Sequence, residues 1–292
     1  MTLDKNELEI FFDLYFNLLF FTNRKKNIIK NVNSLTDTKL LEKNDCFKIK
    51  NVTFSDAQII LDFIEENRNN YSKDKIEILE NWSKYFVRNK FFIVKHTKSF
   101  TVFMDSNDRK KIYSVVGLTS SLEEMFPKSY LPALINTILL PFKNKIVYDG
   151  FITYDNVRFG SNMAFDIAED FKINNAKYGL IKDLTIEKDF SNENIEELLS
   201  EYLKKPDFYE EEICSIINEN DKNYVTYSRL VSKNYLKKYR KKIKELALKD
   251  KYYVALYFDA ILQTGYSESE LNERINNIIP KDKLEYIYIK KI

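Results

Sequence analysis

Glycine and proline are scarce in this chain, and most of them fall in one place. Of five glycines and five prolines in 292 residues, Gly117, Gly150, Gly160, Pro127, Pro132 and Pro141 all lie between Asn81 and Gly160. The single tryptophan, Trp82, and the single histidine, His96, lie there too. These residue types fix backbone geometry, so this stretch should hold the most tightly determined part of the fold. Its periodicities switch quickly. Phe91 to Lys95 reads as a buried strand. From Ser99 to Asp105, Phe100, Val102 and Met104 alternate with Thr101, Phe103 and Asp105, as on a strand. Asp105 to Asp108 is a turn cluster. Lys111 to Leu118 closes a meander. Ser120 and Ser121 suit a helix cap, with Glu123 and Glu124 in the first turn. Leu134 to Leu140 reads as a helix ending at Pro141. Lys145 to Thr153 reads as a strand that bends or turns at Asp149-Gly150.

The flanks extend this core. Leu8 to Phe21 is the most apolar segment, with a polar stripe at Glu9, Asp13 and Asn17. It is too short and too punctuated to span a bilayer and carries no signal-peptide features, so it reads as a core helix. Asn31 to Asn51 is polar and reads as irregular. Ser55 to Asn67 and Ser72 to Arg88 form a helical hairpin, and a helix from Ser161 to about Ala176 follows the central strands. Beyond Asp183 the texture becomes helical: Ser191 to Leu203, Asp207 to Asn218, Ser232 to Leu248, Tyr252 to Gln263 and Ser267 to Ile279. Cap signals stand at Ser191/Asn194, Ser228 and Ser267/Glu270. Leu284 to Ile289 is a strand, free to join the central sheet or to stand at an edge. The expected fold is therefore α+β. An N-terminal helical hairpin and a small, mostly antiparallel sheet fill residues 1–184, and a mainly α-helical domain fills 185–292.

A formal net charge of +2, with 31% charged residues, supplies no global field to attract polyanions. Any such binding needs a local patch. Cys46 and Cys214 have no metal-ligand spacing, which argues against zinc and against a disulfide framework and fits a reducing cytoplasm. Their apolar neighbours make both read as small buried hydrophobes. No cofactor is expected.

Several segments together resemble a family of uncharacterised prokaryotic proteins, some of which carry a C-terminal zinc-binding SEC-C motif. They are LYFNLLFFTNRKKNII at 14–29, FIEEN at 63–67, W-x3-F-x4-FFIVKH at 82–96, VVGLTSSLEEMFP at 115–127, LP-x6-LLPFKNKIVYDG at 131–150 and VRFG at 157–160. The resemblance covers about residues 8–184. Ser161 and Asn162 stand where the family has further glycines, and the cysteine-rich tail is absent, so the resemblance implies neither zinc nor an activity.

Four features bear on chemistry. His96, at a strand end, has the residue type of a general base, but a backbone carbonyl would equally satisfy it. Asp149 and Asp155, with Asp105 and Asp108, would hold Mg²⁺ if their turns met at one sheet edge; turn formation alone also accounts for them. Gly160-Ser161-Asn162 opens a helix without a nucleotide-binding fingerprint. The strongest feature is the basic helix at 233–251. It carries Lys237, Lys238, Arg240, Lys241, Lys242 and Lys244, interleaved with Tyr235 and Tyr239. Phosphate contact plus base stacking would suit nucleic acid. The acidic segments at 193–201 and 210–212 would alternatively neutralise it. The leading expectation is a non-enzymatic binding protein that contacts nucleic acid or an acidic protein through this helix. The alternatives are a protein–protein interaction module, including a homo-oligomer, that pairs through the central sheet or the 284–289 strand, and a metal-dependent phosphodiester hydrolase using His96, Asp149 and Asp155.

Overall fold

The structure, a computed structural model, describes residues 2–30, 43–154, 157–188, 194–245 and 252–292, with backbone alone at residue 43 and at 242–245. The chain is α+β and packs as two compact units, Met1–Asn175 with Gly179–Phe190, and Ser191–Ile292 with Ala176–Tyr178.

The first unit opens with α1 (Lys5–Lys26), started by a capping box in which Asp4 accepts from the Glu7 N–H and Glu7 reaches back to the Asp4 N–H. Phe11, Leu14, Tyr15, Leu18 and Leu19 are buried along it, and Asp13 on the polar stripe pairs with Lys75 at 2.6 Å. The 31–51 segment is not irregular throughout, because α2 (Lys43–Thr53) occupies its end and buries Ile49. Then come α3 (Ala57–Asn67), capped by Asp56 rather than Ser55, and α4 (Lys73–Tyr85), capped by Ser72. Trp82 on α4 is fully buried and donates to the Pro141 carbonyl at 2.9 Å.

Six strands follow: β1 (Val87–His96), β2 (Thr101–Asp105), β3 (Ile112–Val116), β4 (Ala133–Phe142), β5 (Lys145–Tyr148) and β6 (Thr153–Tyr154). Their order is β1-β2-β3-β5-β4-β6, and β1 also pairs with β4, so the first five close into a barrel. All pairs are antiparallel except β3–β5. β2 alternates as its sequence indicates, yet both faces are buried. Phe103 joins the core shared with α1–α4, while Val102 and Met104 join a second core with Ile167 and Phe171 of α6 (Ser161–Tyr178). The short helix α5 (Leu122–Met125), capped by Ser121, sits between β3 and β4. α6 starts at Gly160 with no side-chain cap, so Ser161 and Asn162 fall inside its first turn.

The segment expected to be a helix before Pro141 is therefore strand β4. A two-residue turn joins it to β5, with Lys143 at φ 46° and Asn144 at φ 59°. Positive φ at both central residues matches the right-handed twist of the flanking strands. The closing pair Phe142–Lys145 is hydrogen-bonded in such a hairpin. Pro141, one residue earlier, thus directs its missing donor away from β5, toward the side where β1 has already ended opposite Leu139. β5 and β6 pair with the same side of β4, so the chain bends at Asp149-Gly150 and keeps its direction. Gly150 takes φ +86° there.

The second unit contains α7 (Ile195–Tyr202), α8 (Glu210–Glu219), α9 (Asp221–Glu245) and α10 (Glu268–Asn276), with Asn194 and Ser267 as caps of α7 and α10. Ser228 is a buried mid-helix residue of α9 rather than a cap, and its hydroxyl donates to the Tyr286 carbonyl at 3.1 Å. The helix expected at 252–263 is instead a hairpin of β7 (Tyr253–Tyr257) and β8 (Ala260–Gly265). The C-terminal strand β9 (Tyr288–Lys291) pairs with β7 and so belongs to this unit's own three-stranded sheet, order β8-β7-β9. Cys214 is exposed, because Ile213 and Ile216 are the inward residues of α8; Cys46 is half-buried. Among the described residues no helix is long and apolar enough to cross a membrane.

Candidate nucleic-acid interface

The two halves of α9 have different surroundings. Its first half packs against α7, α8 and the 3-10 turn at Lys281–Tyr286 and buries Asn223, Val225, Ser228, Leu230 and Ser232. Its second half packs on the β7–β9 sheet. Leu236 is buried there with Val254, Leu256 and Ile292, and Tyr235 and Tyr239 pack on the same cluster. The two rings lie 4.6 Å apart. The tyrosines expected to interleave with the lysines thus pack half-buried on the sheet cluster, and Tyr239 also lies 5.4 Å from the Lys238 ammonium.

What remains toward solvent is basic. Lys237, Lys238, Arg240 and Lys241 are all exposed. At 100° per residue they cover one arc of the helix, with Lys237/Lys241 at i,i+4 and Lys237/Arg240 and Lys238/Lys241 at i,i+3. Like charges at these spacings destabilise a helix by about 0.2–0.5 kcal/mol per pair. No carboxylate among the described residues forms an ion pair with any of the four. No described acidic residue of α7 or α8 forms an ion pair with them; Glu201 pairs locally with Lys204 at 2.5 Å. Lys242 lies within α9, with its side chain outside the described residues, and Lys251 lies outside them altogether.

The other sequence candidates do not converge. His96 is buried at the end of β1, with Nδ1 2.9 Å from Thr101 Oγ1 and Nε2 2.7 Å from the Phe126 carbonyl. A carbonyl only accepts, so Nε2 donates and Nδ1 accepts from the hydroxyl. Both ring nitrogens are therefore occupied by structure. Asp149 sits next to Ile138, which pairs with Arg88, eight residues back along β1 from His96. At about 3.3 Å per residue, up to about 26 Å of strand separates the two levels of the barrel. Asp105 is spent on its turn, where Oδ1 accepts from the Asn107 and Asp108 N–H groups and Oδ2 from Asn89. Asp155 lies outside the described residues. Among those described, no group of three His, Cys, Asp or Glu side chains is placed to share a metal ion.

Asp149 has a different partner, which the sequence did not indicate. Its carboxylate is 0% exposed and faces the Lys50 ammonium, 5% exposed, at 2.9 Å. Oδ1 accepts from the Phe151 N–H and is within reach of Thr137 Oγ1, both at 3.1 Å. Oδ2 meets Lys50 as an ion pair without well-aligned hydrogen-bond geometry. Burial pushes the Asp149 carboxyl above its ordinary range, and Lys50 pulls it back only in part. Phe47 and Phe151 lie against the ammonium, at 5.0 and 5.7 Å to their centroids. The Tyr15 hydroxyl is buried nearby, outside good hydrogen-bond geometry to any acceptor. Burial first, and the Asp149 charge second, push its ionisation well above the usual tyrosine value. This cluster clamps α1 and α2 to the barrel.

No protein-family profile, curated protein or solved structure matches the chain. The functional reading therefore rests on geometry.

Proposed function

We propose that the chain is a non-enzymatic binding protein whose C-terminal unit contacts the phosphate backbone of nucleic acid through the exposed face of α9. The supporting observation is the stripe of Lys237, Lys238, Arg240 and Lys241, which is exposed, without ion pairs among the described residues, and held at like-charge spacings that cost helix stability. With Tyr235 and Tyr239 packed half-buried on the sheet cluster, and Tyr239 beside the Lys238 ammonium, the exposed face offers cations first. It therefore suits contact with phosphates rather than base readout. The test is binding to short single- and double-stranded DNA and RNA at about 50 and 200 mM salt. Four engaged cations should weaken binding about a hundredfold between these conditions. The quadruple Lys237→Gln, Lys238→Gln, Arg240→Gln, Lys241→Gln variant should bind at neither salt. Unchanged binding by that variant would sink the proposal, and binding to an acidic polypeptide but to no nucleic acid would replace it with a protein partner.

A further inference from the structure

The second unit also contains a pocket remote in character from the basic face. It encloses about 450 Å³ and is bounded by Tyr224 of α9, Tyr257 of β7, Leu262 of β8, Ile279, Lys283 and Tyr286. That volume lies within the range of small-molecule sites, and the wall is apolar and aromatic apart from one charge. Tyr224 meets Tyr286 edge to face at 5.8 Å. The wall is firmly backed, since Ser228 on α9 ties to the Tyr286 carbonyl and Phe258 packs on Tyr224 at 6.3 Å.

Lys283 decides which ligand fits. Its Nζ lies 5.2 Å from the Tyr286 ring centroid, so the protein's own cation already occupies the electron-rich face that would attract a foreign cation. A cationic guest would meet like charge at close range. Lys283 is exposed and forms no ion pair with a carboxylate among the described residues, so the one charge in the pocket lining is positive, with Asp282 and Glu285 beside it in the chain but not in the lining. The complementary guest has an apolar planar body and one anionic group. We infer that this pocket binds a small aromatic carboxylate, its ring lodged among Tyr224, Tyr257 and Tyr286 and its carboxylate on Lys283.

The inference is independent of the α9 basic face. A series of probes sharing one ring system tests it on the full chain by calorimetric titration: 1-naphthoate, its neutral amide, and 1-naphthylmethylammonium. Naphthoate should bind saturably, the amide about tenfold more weakly and the ammonium more weakly still. Tenfold corresponds to about 1.4 kcal/mol. Lys283→Gln, at an exposed position and with an unchanged thermal melt, should bring naphthoate down to the level of the amide. Leu262→Trp, which fills the pocket, should abolish binding of all three. The quadruple α9 variant should bind naphthoate as the parent does. Absence of saturable binding, equal affinity for acid and amide, preference for the ammonium, or an unaltered naphthoate affinity in Lys283→Gln would each overturn the inference.

Discussion

Lys50 and Asp149 have the residue types of a catalytic pair, but their surroundings make them a buried clamp. A buried ion pair gains little net stability, but removing one partner strands the other charge. Lys50→Met should therefore cost about 3–5 kcal/mol, and Asp149→Asn added to it should restore much of that loss. Urea unfolding followed through Trp82, the only and fully buried tryptophan, reads both. Tyr15 behaves differently. Its hydroxyl has no good hydrogen bond to lose, so Tyr15→Phe should change neutral-pH stability by no more than about 1 kcal/mol. Its effect should appear at high pH. In the unfolded chain tyrosine ionises near pH 10, while in the fold Tyr15 ionises later. Its stabilising contribution is thus complete below about pH 10 and is lost as pH rises from there toward the folded-state value. Tyr15→Phe should flatten that alkaline decline, and a series of urea titrations across about pH 8–11 would show it. Asp149 drew attention in the sequence because it precedes a glycine. Lys50 did not, because nothing local distinguishes a lysine on a polar helix from one aimed into a barrel.

At the scale of elements, the misread segments share one cause. The β4 segment reads as a helix because a short apolar run has no decisive period and Pro141 resembles a helix stop. The hairpin of β7 and β8 reads as a helix because its turn lacks a glycine or asparagine signal. Phe258 holds φ 53° at a position that usually favours glycine or asparagine, with its ring packed on Tyr224, Tyr227 and Tyr257. Turns stabilised by distant rings rather than by their own residue type leave no short-range signature. Where local chemistry suffices, the reading succeeds: Ser121, Asn194 and Ser267 all cap helices. Gly265 is a related case. It reads as a separator, yet it ends β8 directly against α10, where a Cβ would stand 3.0 Å from the Leu271 backbone nitrogen. Gly265→Ala should cost about 1–3 kcal/mol by forcing β8 and α10 apart, measurable as a lowered urea midpoint.

For the whole molecule, a net charge of +2 means that any polyanion must be held by a patch, and the salt slope counts its members. Four engaged cations correspond to a slope of about −3.6 in log affinity against log salt on duplex DNA. Lys241→Gln alone in the parent should lower that slope by about a quarter. The α+β class could be read from periodicity, as could a helix through Lys237–Lys241, although α9 starts at Asp221 rather than Ser232. The use of its tyrosines could not, because which face of α9 meets the sheet depends on a hairpin that the sequence disguises. The closed barrel also has a consequence in time. β1 borders β4 from Val87↔Leu139 to Ile93↔Ala133, so one of its edges has no partner until much later chain has been made. At roughly 5–20 residues per second that interval is roughly 3–10 s of synthesis. Arg88, whose guanidinium reaches Asn51 Oδ1 at 3.1 Å in the fold, and Lys90 are both exposed on β1, and exposed charge on a strand opposes pairing with a foreign edge. On a nascent chain these two side chains would keep the site free for the strand that has yet to emerge.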